Sequence, residues 1–280
     1  MKSITNLIVT GTLLTTPIWS APEANQPKKP STGVHPIVYR HASVGGGWAN
    51  GAWADSKVVL NLMKDREIYT FYSLAAKEGT AKLLKVEDLG PDIVATFEET
   101  DFLKNLNIGL AAPWNALPRV PKMEDTNQED LRNEVAKFLE QNKQADAPVK
   151  IAQVVRIDLE GDGIEEVIVS ATNMKLKPDG APLIVSKAIP SGGNPTVVRG
   201  NDVYSFVFLR KLVNGQPQTT LLSGEFYAVP NGRVAEHHRL AAVLDLDGDG
   251  VQEIVTHALY FEGDFINVFK VTGEKVEEVL

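Results

Sequence analysis

Cysteine is absent from all 280 residues, so no disulfide, thiolate metal site or cysteine nucleophile exists in this chain. A lipid anchor on an N-terminal cysteine is excluded with it. Excess positive charge is also missing. Lysine and arginine number 28 against 36 acids, giving a net charge of −8 and a pI near 5.2. An acidic chain repels phosphate backbones, so nucleic acid is not an expected partner. Histidine is scarce, with five side chains: His35, His41, His237, His238 and His257. The strings GxSxG and HExxH and a phosphate-cradling glycine loop do not occur. Beyond the N-terminal stretch no apolar run approaches membrane length.

What remains is ordinary globular material, 43% hydrophobic and 23% charged, enough for one or two cores. Residues 1–21 read as a secretory signal peptide. Lys2 supplies a positive start, Ile4 to Ile18 an apolar and Thr-rich stretch, and Ser20, Ala21 and Ala24 small residues near a cleavage site. The expected location is periplasmic or secreted, with no membrane insertion after signal cleavage. Residues 22–33 (PEANQPKKPSTG) have no apolar period and read as a flexible linker.

The expected fold class is mainly β. Residues 34–120 form an N-terminal β module, with strand-like runs at Pro36–Tyr39, Val58–Leu62, Glu67–Leu74, Lys82–Val86, Ile93–Phe97 and Ile108–Trp114. Trp48 and Trp53 stand in a glycine-rich turn, where they either stack on a sugar or peptide or plug the end of the β core. Residues 121–147 are a helical connector with one amphipathic helix over Thr126 to Gln144. Thr126 or Asn127 caps it, and Leu131, Val135, Phe138 and Leu139 form its apolar face.

Residues 148–280 hold a repeat. The stretch Asp245-Leu246-Asp247-Gly248-Asp249-Gly250-Val251-Gln252-Glu253 places carboxylates at positions 1, 3, 5 and 9 and a backbone carbonyl, Val251, at position 7. All-oxygen donors at that spacing suit a hard cation such as Ca2+. Eighty-seven residues earlier, Asp158, Glu160, Asp162, Ile164 and Glu166 repeat the pattern with the same apolar flanks. Positions 12 are Val169 and Thr256, not glutamate, so neither loop is an EF-hand. Each loop lies between strands, and each unit continues through a hairpin, one turning at Asn214-Gly215 and the other at Thr272-Gly273. Four strands per unit is propeller-blade-like. Between about Thr172 and Asp202 the first unit carries roughly 29 extra residues, either a functional loop or a surface excursion.

The runs IDLEGDGIEEVIV and LDLDGDGVQEIV resemble the calcium loops of FG-GAP/VCBS-type repeats, known from integrin-like β-propellers and exported bacterial proteins. The resemblance covers about residues 149–280. It implies metal ligands Asp158, Glu160, Asp162, Ile164 (carbonyl) and Glu166, then Asp245, Asp247, Asp249, Val251 (carbonyl) and Glu253. Two units are too few to close a propeller. The functional expectation is an exported calcium-binding module that binds a protein or glycan, with structural ions and no enzymatic activity. The alternative is a hydrolase or lyase acting on envelope glycan. A site of that kind could draw on His237 or His238 with His257 and Glu236, if the strands around the second loop pair.

Overall fold

A computed structural model describes residues 28–40, 43–90, 92–100, 107–176, 203–227, 236–260 and 263–280. The expected signal peptide and most of the insertion, residues 177–202, lie outside the described residues.

The N-terminal module is a closed barrel. Its strands are β1 (Val34–Tyr39), β2 (Ser43–Ala49), β4 (Ile68–Tyr72), β5 (Lys77–Asp88), β6 (Ile93–Phe97) and β7 (Ile108–Leu110), with β3 (Ala52–Ala54) added outside β2. The order β1-β7-β4-β5-β6-β2 is closed by a β1–β2 pairing, which makes six strands around the core. Closure removes free sheet edges. Val38, Val44, Leu83 and Ala95 fill the interior with Tyr69 and Phe71, whose rings meet the edge of Phe97 at 5.2 Å. The β2–β3 hairpin turns on Asn50 and Gly51, both at positive φ (53° and 93°), as a two-residue turn between twisted strands demands. Trp48 is buried there, its indole N–H bonded to the Ser31 carbonyl at 2.6 Å and its ring set edge-on to Trp53. Trp53 is partly buried and packs against the cluster that joins the barrel to the second sheet.

One expected strand is a helix. Val58 to Leu62 lies in and beyond α1 (Ser56–Leu60), because the Asp55 carboxylate accepts the Val58 N–H at 3.0 Å and caps a helical turn. Only Val59 of this helix is buried. The module therefore adds a second, short helix to the one expected.

The remaining elements are β8 (Lys122–Met123), α2 (Glu129–Gln141), β9 (Ile151–Ile157), β10 (Glu166–Thr172), β11 (Val203–Val213), β12 (Gln216–Tyr227), β13 (His237–Leu244), β14 (Glu253–Leu259), β15 (Asp264–Thr272) and β16 (Lys275–Glu278). Helix α2 starts at Gln128, which makes no side-chain cap, rather than at Thr126 or Asn127. Its buried stripe is Leu131, Val135 and Leu139, as the periodicity predicts.

Each repeat is a four-stranded antiparallel meander, β9 to β12 and β13 to β16, with β8 added beside β9. The second hairpin turns on Gly273-Glu274, not Thr272-Gly273, since Thr272 pairs with Lys275. Asn214-Gly215 in the first unit corresponds to it at an offset of 59 (273 − 214), so the insertion is 87 − 59 = 28 residues.

The layers stack. Leu131, Val135 and Leu139 of α2 cover one face of the first sheet, against Val169, Phe206 and Phe208. The first sheet's other face, with Val155, Ile168 and Leu209, meets Val243, Ile254 and Phe269 of the second. The second sheet's far face, with Ala242, Leu244, Val255 and Val268, packs on Ile37, Ile108 and Leu110 of the barrel. Strands β10 and β14 are consequently buried along their whole length, and their sequences carry no polar outward face in alternation. A helix and a barrel cover the outer faces, and two units suffice without a ring.

Candidate functional site

Both acidic loops lie between paired strands, the first joining β9 to β10 and the second β13 to β14. Their internal wiring matches. At position 1, Asp158 accepts the Gly161 and Gly163 N–H groups at 2.7 and 3.0 Å, and Asp245 those of Gly248 and Gly250 at the same distances. At position 5, Asp162 and Asp249 each accept the N–H two residues on, from Ile164 and Val251, at 2.8 Å. At position 9, Glu166 accepts Leu159 N–H at 3.0 Å and Glu253 accepts Leu246 N–H at 2.8 Å. Glycines at positions 4 and 6 hold φ between 75° and 90°, which aims these N–H groups inward.

Position 3 separates the two. Glu160 turns outward, accepting the Gly273 N–H at 2.7 Å and pairing with Lys211 at 2.9 Å, so it clasps the second unit's hairpin. Asp247 stays in its loop. Among the described residues, the acids whose oxygens converge within 4.8 Å of one another are Asp245, Asp247 and Glu253. Asp162 and Ile164 are exposed, whereas Asp247 is 1% and Glu253 0% exposed.

The cause of that difference is tertiary. Residues 28–31, expected to be flexible linker, lie across the second loop: Lys28 N–H bonds the Asp249 carbonyl at 2.7 Å and Ser31 N–H the Asp247 carbonyl at 2.8 Å. The Trp114 indole donates to the Asp245 carbonyl at 2.8 Å and its ring rests over Gly248. Arg119 then joins the loops. Its guanidinium donates to the carbonyls of Asp158 (2.5 Å), Leu159 (2.7 Å) and Gly250 (2.8 Å). A cavity of about 360 Å3 between the loops is lined by Lys28, Trp114, Arg119, Glu160, Asp245 and Asp249.

Burial raises Asp245, Asp247 and Glu253 in the second loop. It lifts Asp245 to about 6, with Asp247 and Asp249 adding to the effect, and holds Glu253 well above the carboxylate range. Burial also raises Glu166 to about 7. Among the described residues, the ammonium ion-paired with the second loop's acids is that of Lys270. Lys270 Nζ lies 2.5 Å from Asp247, 2.8 Å from Asp249 and 3.0 Å from Glu253. Burial alone would lower Lys270, but Glu253, Asp247 and Asp249 outweigh it and keep it charged. Three of the loop's four carboxylates therefore share one ammonium. The donor set, all oxygen and converging, fits a hard divalent ion.

The sequence singled out none of Trp114, Arg119 and Lys270. The lysine carried a signal: Lys211 and Lys270 stand two residues before equivalent turn-flanking positions, 59 apart. The linker contacts and the arginine bridge carried none, since both span the chain.

Register separates the histidines by face: His237 shares the face of His257, two residues along, and His238 does not. Strands β13 and β14 pair Arg239 with His257 and His238 with Ala258, so His238 and His257 fall on opposite faces of the sheet. His238 contacts Ser223 at 3.2 Å and Glu236 at 3.4 Å. His257, fully buried, bonds Asp264 at 2.7 Å through Nε2 and accepts the Arg239 Nε–H at 3.3 Å on Nδ1. Arg40 of the barrel reaches Asp264 at 3.3 Å.

Compared with family models, with curated proteins and with solved structures, the chain matches none. Among the described residues no helix is long and apolar enough to cross a membrane.

Proposed function

We propose that the chain is an exported module of FG-GAP/VCBS-like, blade-like β repeats that binds a protein or glycan, with Ca2+ stabilising its second acidic loop. One observation carries this reading: Asp245, Asp247 and Glu253 converge in a buried loop where carboxylates outnumber the single ammonium. Asp245, Asp247, Asp249 and Glu253 would hold the ion. Bound there, it would neutralise charge that otherwise has to be protonated, and so stabilise the fold. The first loop, exposed and with Glu160 engaged elsewhere, would bind more weakly. The cavity between the loops is the candidate contact surface, where an indole beside carboxylates and a guanidinium suits a sugar or peptide.

The hydrolase or lyase reading has less support. It needs bases that converge, whereas both ring nitrogens of His257 are engaged and His238 lies on the opposite face.

The test is a thermal melt of the exported form in EDTA and in millimolar Ca2+. Tm is expected to rise with calcium, by an amount equivalent to about 2.7 kcal/mol at a hundredfold excess over Kd. The rise should vanish in Asp245→Ala and persist in Asp158→Ala. A wild-type Tm indifferent to calcium would refute the reading.

A further inference from the structure

We propose that Lys270 is the second loop's own cation: its ammonium stands in the place of a divalent ion, and such an ion enters only by expelling it. The second half of this inference rests on the metal reading above.

The geometry is that of a counter-ion seat. An ammonium has three donors. Lys270 directs one to each of Asp247, Asp249 and Glu253, at 2.5, 2.8 and 3.0 Å. The side chain is 19% exposed, and its partners are 1%, 8% and 0% exposed, so the pairing is largely withdrawn from water. Two of the three acids that converge for an ion, Asp247 and Glu253, are Lys270's partners. A divalent ion on that trio and the ammonium would contend for the same oxygens and repel each other at close range.

The sheet register places the lysine there. Ile254 pairs with Phe269, which leaves Lys270 beside Glu253, the last acid of the loop. The first unit has the same ladder position, with Val167 opposite Arg210 and Lys211 next. Lys211, however, pairs with Glu160, the position-3 acid that turns outward from its loop, and gives another bond to the Gly273 carbonyl. The two lysines share a ladder position and a position-3 partner, but Lys270 also pairs with the acids at positions 5 and 9. That difference makes Lys211 the internal control.

The experiment titrates Ca2+ into the folded protein by calorimetry and by melting temperature, for wild type, Lys270→Met, Lys270→Gln and Lys211→Met. In EDTA, Lys270→Met should melt below wild type, because buried acids have lost their counter-ion. Calcium should restore it, with a half-saturating concentration at least tenfold lower than that of wild type. Lys211→Met should keep the wild-type half-saturation. In wild type, the slowly exchanging Lys270 ammonium resonance should disappear as calcium saturates the calorimetric isotherm.

Equal half-saturation in wild type and both Lys270 variants would overturn the inference and leave the metal reading standing. Persistence of the ammonium resonance in the calcium-saturated protein would overturn it too. A wild type blind to calcium beside a responsive Lys270→Met would sink the metal reading for the native protein and support the lysine as its permanent occupant. Lys270 variants that stay folded yet bind no calcium would overturn the competition.

Discussion

Arg119 is the cross-tie on which the two loops depend, and Arg119→Met isolates its head group. Methionine keeps an apolar stem and deletes the guanidinium. Three donations are lost, to the carbonyls of Asp158, Leu159 and Gly250 at 2.5, 2.7 and 2.8 Å. A hydrogen bond from a charged donor contributes about 1.5–3 kcal/mol where water is excluded. Arg119 is only half-buried, so water takes over part of each bond, and the expected loss is about 2–4 kcal/mol. With a urea dependence of about 3 kcal/mol per molar for a chain of this size, the midpoint should fall by about 1 M at unchanged slope. Arg119→Lys keeps the charge but not the planar fork that reaches two loops at once, and should recover only about 1 kcal/mol. Equilibrium urea unfolding, followed by tryptophan fluorescence, reads both variants. A midpoint shift of less than about 0.3 M for Arg119→Met would refute the idea that this bridge holds the loops together.

Two further tests probe the second loop's cover and the barrel contact. Gly248 and Gly250 both sit at positive φ (83° and 90°), so alanine at either costs about 1 kcal/mol in backbone strain. A Cβ at Gly248 would also meet the Trp114 ring at 3.1 Å, whereas one at Gly250 meets nothing within 4 Å. Gly248→Ala should therefore lower Tm more than Gly250→Ala, and equal losses would contradict the seating of the indole on the loop. The second test uses acid. Burial lowers the His257 pKa below 6.5, the neighbouring Arg239 and Arg40 charges lower it further, and Asp264 offsets them only in part. A folded pKa below the unfolded one means that the unfolded chain takes up the proton first. His257 thus stabilises fully above pH 6.5, and its contribution fades as pH falls from there toward the folded pKa, at up to about 1.4 kcal/mol per pH unit. The raised acids of the loops slope the opposite way. The clean readout is the difference in unfolding free energy between wild type and His257→Gln across pH 7 to 5, and a difference that stays flat would contradict the buried neutral imidazole.

The loops were legible because their wiring is local. Acids at positions 1, 5 and 9 bond N–H groups of their own turn, with glycines where φ is positive, and both copies form the same pattern. The strands and α2 were legible through their periods, and Asn214-Gly215 through the backbone geometry its turn requires. The short helix at Ser56–Leu60 was missed because the apolar run outweighed the Asp55 cap before it. One expectation failed and another held only in part, for a shared reason. Residues 28–31 look featureless, yet their N–H groups find loop carbonyls more than 200 residues away, and no composition reports that. Of the two histidines expected near His257, pleat and register send His238 to the opposite face and leave His237 on the same one.

By itself, then, the sequence determined two nearly identical acidic turns between strands, because each turn is closed by bonds within nine residues. Beyond the exchange of Asp247 for Glu160 at position 3, the tertiary structure made them different. Trp114 and residues 28–31 bury the second loop, the Gly273 N–H and Lys211 draw Glu160 out of the first, and Lys270 seats its charge among Asp247, Asp249 and Glu253. Those contacts come from layers stacked face to face, and the field at a carboxylate is set by what the fold places around it rather than by its neighbours in the chain.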